Sequence, residues 1–222
     1  MKLSILMPVF NEAPTIAEVV DRVRAVPLDK EIVLVNDASS DGTHGIVESL
    51  AGPELHVIHH PINRGKGAAI RTGLEAARGD VIAIQDADME YDPNDFVRLL
   101  EPIAQGKAEV VYGVRSLDTQ KPIMRFGNHF VTFMTNLIYG AQVKDMETCY
   151  KMMRREIALQ LDLECRRFDV EAEITAKLLR AGRRIHELPI RYTARYENKK
   201  LSPSDGLPAL KALWKYRNWN PK

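Results

Sequence analysis

Four acidic side chains alternate through the stretch QDADMEYDP: Asp86, Asp88, Glu90 and Asp92. They follow VIAI, an apolar run of the kind that fills a buried strand. Like charges this close repel one another and lose hydration, so a compensating positive group is expected beside them. Two-residue spacing on extended backbone turns Asp86, Asp88 and Glu90 to one side. Clustered carboxylate oxygens suit a hard divalent cation, Mg²⁺ or Mn²⁺. Such a cation takes one or two carboxylates and fills its other positions with phosphate oxygens and water, which points to a nucleoside diphosphate as the partner. Asp92, just before Pro93, reads as a helix start.

Other polar residues fall at the ends of apolar runs. Asn11 and Glu12 follow LSILMPVF, and Asp37 ends EIVLVND. Asp41, in SSDGT, reads as a turn residue that caps the next helix. NRGKGAAIRTG (63–73) lacks the phosphate-loop pattern, and Ile70 stands where a dinucleotide fingerprint needs Gly or Ala. It reads as a Gly-rich helix start that passes close to a ligand, with Arg64 or Lys66 supplying charge, or as a plain turn. His56, His59 and His60 do not make a three-ligand metal site, because on a strand His59 opposes the other two.

The elements that must position these residues alternate. Strand patterns at 3–10, 31–37, 55–60, 80–88 and 108–113 are separated by helical patterns. That alternation predicts a mostly parallel central sheet with helices on both faces, an α/β fold of Rossmann-like type. Ligands of such sheets bind at the carboxyl ends of the strands. Further on, 122–142 reads as an apolar and aromatic helix, 149–155 as a strand, 168–182 as an amphipathic helix and 183–192 as a strand. A basic, Pro-containing loop covers 193–204, and the end, 206–220, is a helix with a basic and aromatic face. We expect residues 122–142 to pack in the core and leave the last helix open between core and membrane interface.

The 222 residues suit one domain, with 45% hydrophobic and 27% charged residues. A net charge of +1 gives no field that predicts nucleic acid as the main partner, and none is expected. Two cysteines, Cys149 and Cys165, form no framework and fit a reducing, cytoplasmic setting. The first residues do not read as a signal peptide, and no apolar run reaches membrane-spanning length.

Taken in order, MPVFNE, VNDASSDGT, NRGKGAAIRTG, DADMEYDP, DMETCYKMMRR, FDVEAEITAKLLRAGRRIHELPIRY and RYENKKLSPSDG match a known series of motifs along nearly the whole chain. The chain resembles the family-2 glycosyltransferases of the GT-A fold, and most closely their dolichyl-phosphate mannose synthase-like (polyprenyl-phosphate glycosyltransferase) branch. The resemblance implies an inverting, metal-dependent transfer of a hexose from a nucleoside-diphosphate sugar of the GDP-mannose or UDP-glucose type to a polyprenyl or dolichyl phosphate. It implies a single GT-A domain over 1–222, with a nucleotide-sugar half (1–115) and an acceptor half (116–222) that ends in an amphipathic helix.

Carried onto this chain, Pro8, Phe10, Glu12, Val35 and Asp37 would line the nucleotide-base pocket. Asp86, Ala87 and Asp88 would contact the nucleotide, with Asp88 and Glu90 on Mg²⁺ or Mn²⁺. Arg115 would reach the donor or acceptor phosphate. Arg195 and Lys200 would close over the diphosphate, and Lys66 would add charge. Two departures bear on the donor sugar: Glu90 stands where mannose synthases often have Gln, and Asn198 stands where Gly is common, in a loop one residue shorter. A lipid phosphate is already anionic and attacks unaided, whereas a sugar hydroxyl needs a base, for which Asp145 and Glu147 are the candidates. The implied setting is cytoplasmic, peripheral on the cytoplasmic membrane face, with a second copy or a membrane subunit left open as partner. A non-lipid acceptor, a sugar-phosphate nucleotidyltransferase and a non-catalytic nucleotide-sugar binder are the alternatives.

Overall fold

The computed structural model describes residues 1–195 and 206–221. Strands β1 (Leu3–Val9), β2 (Lys30–Asn36), β3 (Leu55–His59), β4 (Val81–Ile84), β5 (Val110–Arg115), β6 (Lys151–Arg154) and β7 (Ile185–Ile190) form one sheet in the order β3-β2-β1-β4-β6-β5-β7. Every pairing is parallel except the two made by β6, which runs antiparallel to β4 and β5. Leu3, Ser4, Ile5, Leu6 and Met7 are consecutive and all buried. Apolar runs of this kind, rather than alternating ones, belong to strands covered on both faces. β7 carries Pro189 on an edge of the sheet, where a missing N–H breaks no interior ladder.

Helices α1 (Ile16–Ala25), α2 (Thr43–Leu50), α3 (Lys66–Ala76) and α4 (Asp95–Ala104) connect the first five strands. The later elements are α5 (Pro122–Tyr139), α6 (Arg155–Gln160), α7 (Val170–Arg180) and α8 (Gly206–Tyr216). The short helix α6 was not expected from sequence; six residues carry too little periodicity to announce it.

The chain runs outward from β1 to β2 and β3, then returns to the other side of β1 as β4. This reversal leaves a crevice outside the carboxyl ends of β1 and β4, the position at which open α/β sheets bind ligands. The segments after β1 and β4 are tied together there. Thr15 Oγ1 donates to the Ala87 carbonyl (2.7 Å) and to Glu12 Oε2 (3.0 Å).

α5 corrects the expectation of a core helix. Val131, Thr132 and Thr135 are buried, but Ile123, Phe126, Phe130, Phe133 and Leu137 are 43–68% exposed. At 100° per residue these five fall within roughly 80° of arc, a continuous apolar stripe facing outward. α8 exposes Leu207 and Trp214, with the Arg217 guanidinium 3.9 Å from the Trp214 ring centroid. No helix among the described residues is long and apolar enough to cross a membrane.

Candidate active site

A cleft of about 340 Å³ opens at the switch point. One wall comes from Pro8, Phe10, Glu12, Asp37 and Gly65, and the floor from Lys66, Asp86, Ala87, Asp88 and Glu90. The far wall comes from Arg115, Met124, Asn128, Glu147, Phe168 and Glu171, with Arg195 across the mouth.

The first wall is built from satisfied groups. Asp37 accepts the backbone N–H groups of Arg64 (2.9 Å) and Gly65 (2.7 Å) and the Nδ1–H of His60 (2.6 Å). It therefore braces the Gly-rich loop. Asp41 accepts the Thr43 N–H (3.1 Å) and hydroxyl (2.5 Å) and the Ala13 N–H (3.0 Å), the expected turn role. Burial opposes the Asp41 charge, but these hydrogen bonds outweigh it and hold the carboxyl below its usual range. Glu12 receives both terminal nitrogens of Arg195, at 2.9 and 3.0 Å.

Val35 does not reach the cleft. It is buried within β2 opposite Pro8, and its side chain packs against Gly73 of α3. The Gly-rich segment starts α3 beside the cleft, and its glycines have a further reason that the sequence did not show. A Cβ at Gly65 or Gly67 would collide with the carbonyl oxygens of Arg166 and Cys165, and Gly65 has φ +90°. Close chain packing at the start of α3 demands glycine there.

The acidic stretch also departs from the expected extended backbone. β4 stops at Ile84, and Met89 takes a positive φ of 64°. The three carboxylates nevertheless line the same cleft, each in a different state. Asp86 is paired with Lys66 (2.7 Å), which also reaches Glu171 (2.6 Å). Burial disfavours the Lys66 ammonium, but these two charges outweigh it and hold its pKa well above the ordinary value. Lys66 is thus the compensating charge that Asp86 required. Glu90 accepts the Tyr192 hydroxyl (2.9 Å) and the Arg195 backbone N–H (2.8 Å), so it also anchors the chain leading into the basic loop. Burial, followed by the charges of Asp86 and Glu90, pushes the Asp88 carboxyl up to about 7.

The crowding of Asp88 by the Asp86 and Glu90 charges, offset only in part by Arg195, fits a divalent cation. Asp88 is the principal candidate ligand and Glu90 a second, with donor oxygens and water completing the shell. Among the described residues, the group whose three ligand atoms lie within 4.8 Å of one another is His44, Glu48 and His59. It closes without an ion. The Asn36 Oδ1 accepts the Ser39 N–H, so its Nδ2 donates to His59 Nδ1 (3.0 Å). His59 then carries its proton on Nε2 and donates to Glu48 (2.5 Å).

Arg115 and Asp145 form a buried bidentate pair, Nε–Oδ2 2.8 Å and Nη2–Oδ1 2.8 Å, beneath the Tyr192 ring. Burial alone would raise the Asp145 carboxyl; the Arg115 charge and hydrogen bonds bring it below its usual range. Asp145 does not line the cleft and is a poor base, because its lone pairs hold Arg115. Glu147 does line it, and burial together with the Glu171 charge raises its carboxyl to about 7. The turn that presents Glu147 is held by Lys151, whose ammonium donates to the carbonyls of Met146 (2.8 Å) and Thr148. Glu171 was missed in the sequence. On α7 it looks like one of two first-turn acids that suit a helix dipole, and only the packing of α7 against α3 reveals the cleft position. Lys200 and Asn198 lie outside the described residues.

A mostly parallel sheet with a switch-point cleft and strand-end carboxylates defines an open α/β fold of the ligand-binding kind. The profile of glycosyl transferase family 2 matches residues 4–161. An undecaprenyl-phosphate mannosyltransferase of Micrococcus luteus is 28% identical over 88% of this chain and 85% of its own. A low-salt glycan biosynthesis hexosyltransferase of Haloferax volcanii is 30% identical over 87% of this chain, which spans about half (48%) of that protein. In structure, the glucosyl-3-phosphoglycerate synthase of Mycobacterium tuberculosis, solved with Mn²⁺, UDP-glucose and phosphoglyceric acid, superposes with a TM-score of 0.75 at 17% identity. The match covers 100% of this chain and 81% of that one. The chain belongs to glycosyl transferase family 2, has a GT-A-like fold and is a glycosyltransferase.

Proposed function

We propose that the enzyme moves a hexose from a nucleoside-diphosphate sugar to a polyprenyl phosphate at a membrane surface. The observation that carries the lipid acceptor is α5. Its outward flank is the stripe from Ile123 to Leu137, while Met124 and Asn128 on its other flank line the cleft. An exposed stripe of Phe, Ile and Leu fits an acyl-chain boundary better than water. Relatives named as polyprenyl-phosphate sugar transferases support the same reading.

In this reading residues 1–115 hold the donor and residues 116–222 the acceptor. Pro8, Phe10 and Asp37 flank the base, and Asp86 and Ala87 approach the nucleotide. Asp88 and Glu90 would hold Mg²⁺ or Mn²⁺, which when bound neutralises charge on the diphosphate leaving group. Arg195 exchanges Glu12 for the diphosphate, and a guanidinium can grip phosphate oxygens in the same bidentate manner. Arg115, positioned by Asp145, contributes a fixed positive field on the acceptor side. The lipid phosphate needs no deprotonation, so no residue is required as base.

A second reading, a hydroxyl acceptor, is favoured by one observation: Glu147, raised to about 7, has the pKa of a general base. Sugar transfer with Mn²⁺ and a panel of GDP- and UDP-sugars decides between them. Transfer to a short polyprenyl phosphate is expected. Transfer only to hydroxyl acceptors selects the second reading, and no transfer from any donor overturns both.

A further inference from the structure

Two carboxylate oxygens in the cleft have no hydrogen-bond partner among the described residues: Glu147 Oε1 and Glu171 Oε2. Both atoms are buried, and both residues line the far wall. We infer that Glu147 and Glu171 form a hydroxyl-accepting subsite for the transferred sugar, which selects a neutral hexose over a uronic acid. The inference rests on the donor reading above.

The nearby cations are already committed. Lys66 spans Asp86 and the other oxygen of Glu171. Lys151 donates to the Met146 and Thr148 carbonyls, and Arg115 is held bidentate by Asp145. Among the described residues no lysine, arginine or backbone N–H donates to the two oxygens, and a buried acceptor left bare is costly. Whatever fills this part of the cleft must donate hydrogen bonds. A fully ionised phosphate cannot, because it is anionic and accepts only. The carboxylate of a uronic acid is excluded for the same reason. A hexose hydroxyl donates, and a hydrogen bond from it to a carboxylate is of the stronger, charge-assisted kind.

Position agrees with chemistry. Lys66 is shared by Asp86 and Glu171, so the pair lies one side chain beyond the groups assigned to the nucleotide. That is where the sugar of a donor anchored at Asp37 and Asp88 would extend. Phe168 and Met124 supply the apolar surface beside it.

Calorimetric titration of the full chain with Mn²⁺ tests the inference, using UDP, UDP-glucose, UDP-glucuronate, GDP and GDP-mannose. For the nucleotide that binds, Glu147→Ala and Glu171→Gln are expected to weaken the hexosyl form about tenfold and leave the bare diphosphate within about twofold. Glu147→Gln, closer in shape, guards against a folding defect and should weaken the hexosyl form less than Glu147→Ala. Wild type should bind the glucuronate at least about tenfold more weakly than the glucose form. Equal loss of diphosphate and hexosyl ligand overturns the inference, as does uronate binding equal to hexose binding. So does a Glu147 variant that lowers kcat while keeping hexosyl affinity, which marks a base. If wild type binds neither UDP nor GDP, the donor reading itself fails and takes the subsite with it.

Discussion

The two walls of the cleft are made of the same chemical material and left in opposite states. On the wall after β1 and β2, Glu12 and Asp37 are each gripped by several donors, as is Asp41 in the turn behind them. On the floor, Asp88 is crowded by the charges of Asp86 and Glu90, and on the far wall Glu147 and Glu171 each have a buried oxygen with no partner among the described residues. The first wall is finished by folding. The second is finished only when a ligand arrives, and the stability it forgoes is available for binding. Substitutions should therefore separate cleanly: variants of the first wall lose stability, and variants of the second lose function.

The largest expected effect is at Asp88. Asp88→Asn should lower sugar transfer by about a thousandfold, through loss of the cation and of charge stabilisation on the leaving group. The metal-free variant should melt higher than metal-free wild type, because like-charge repulsion with Asp86 and Glu90 is relieved. Added Mn²⁺ should stabilise wild type and leave the variant unmoved. A variant that melts lower than wild type would erase the contrast between the walls.

Asp37→Ala is the opposing case. It strands the N–H groups of Arg64 and Gly65 and one nitrogen of His60. A loss of about 2–3 kcal/mol in urea unfolding is expected. A change within experimental scatter would show that Asp37 is not a brace.

A smaller effect concerns pH. Glu147 faces Glu171 and Asp145 as well as Lys151 and Arg115, and its carboxyl rises from the ordinary 4.5 to about 7. A carboxyl with a raised pKa keeps its proton longer in the folded chain than in the unfolded one. Its contribution is complete below about 4.5 and is lost as pH rises through about 7. Unfolding free energy should fall over that window by on the order of 1 kcal/mol or more, and Glu147→Gln should flatten the profile. An unchanged profile in the variant assigns the slope elsewhere.

The smallest effect on stability, under about 0.5 kcal/mol, is expected for Phe126→Ser and Phe133→Ser, because both side chains are already in water. Their binding to anionic vesicles in a flotation assay should fall several-fold. Retained binding would leave the stripe without its lipid role and remove the support for a lipid acceptor.

Much of this was legible without coordinates. The alternation of apolar runs and helical patterns announced a mostly parallel sheet. The acids after the first, second and fourth runs announced where its carboxyl edge would act. Asp41 and Asp92 were read as turn and helix-start residues, and Asp92 does accept the Asn94 N–H at 3.0 Å. These are local matters, set by backbone periodicity and by side chains that reach their own neighbours. Val35 and the outward stripe of α5 were misread, and the close approach of 165–166 to Gly65 and Gly67 was not foreseen, because each depends on what lies on the far side of an element. Residue type alone does not show which side that is.

The sequence by itself determined which carboxylates stand at the sheet edge and that a cation would suit them. Tertiary structure decided which of them are paired within the protein. Glu12 is satisfied by a residue 183 positions away, Asp145 by one 30 away, and Asp86 by a lysine that Glu171 shares. Spacing along the chain places a charge on a strand or loop. Its compensation is a through-space matter, governed by Coulomb interaction and desolvation among groups that only the fold brings together.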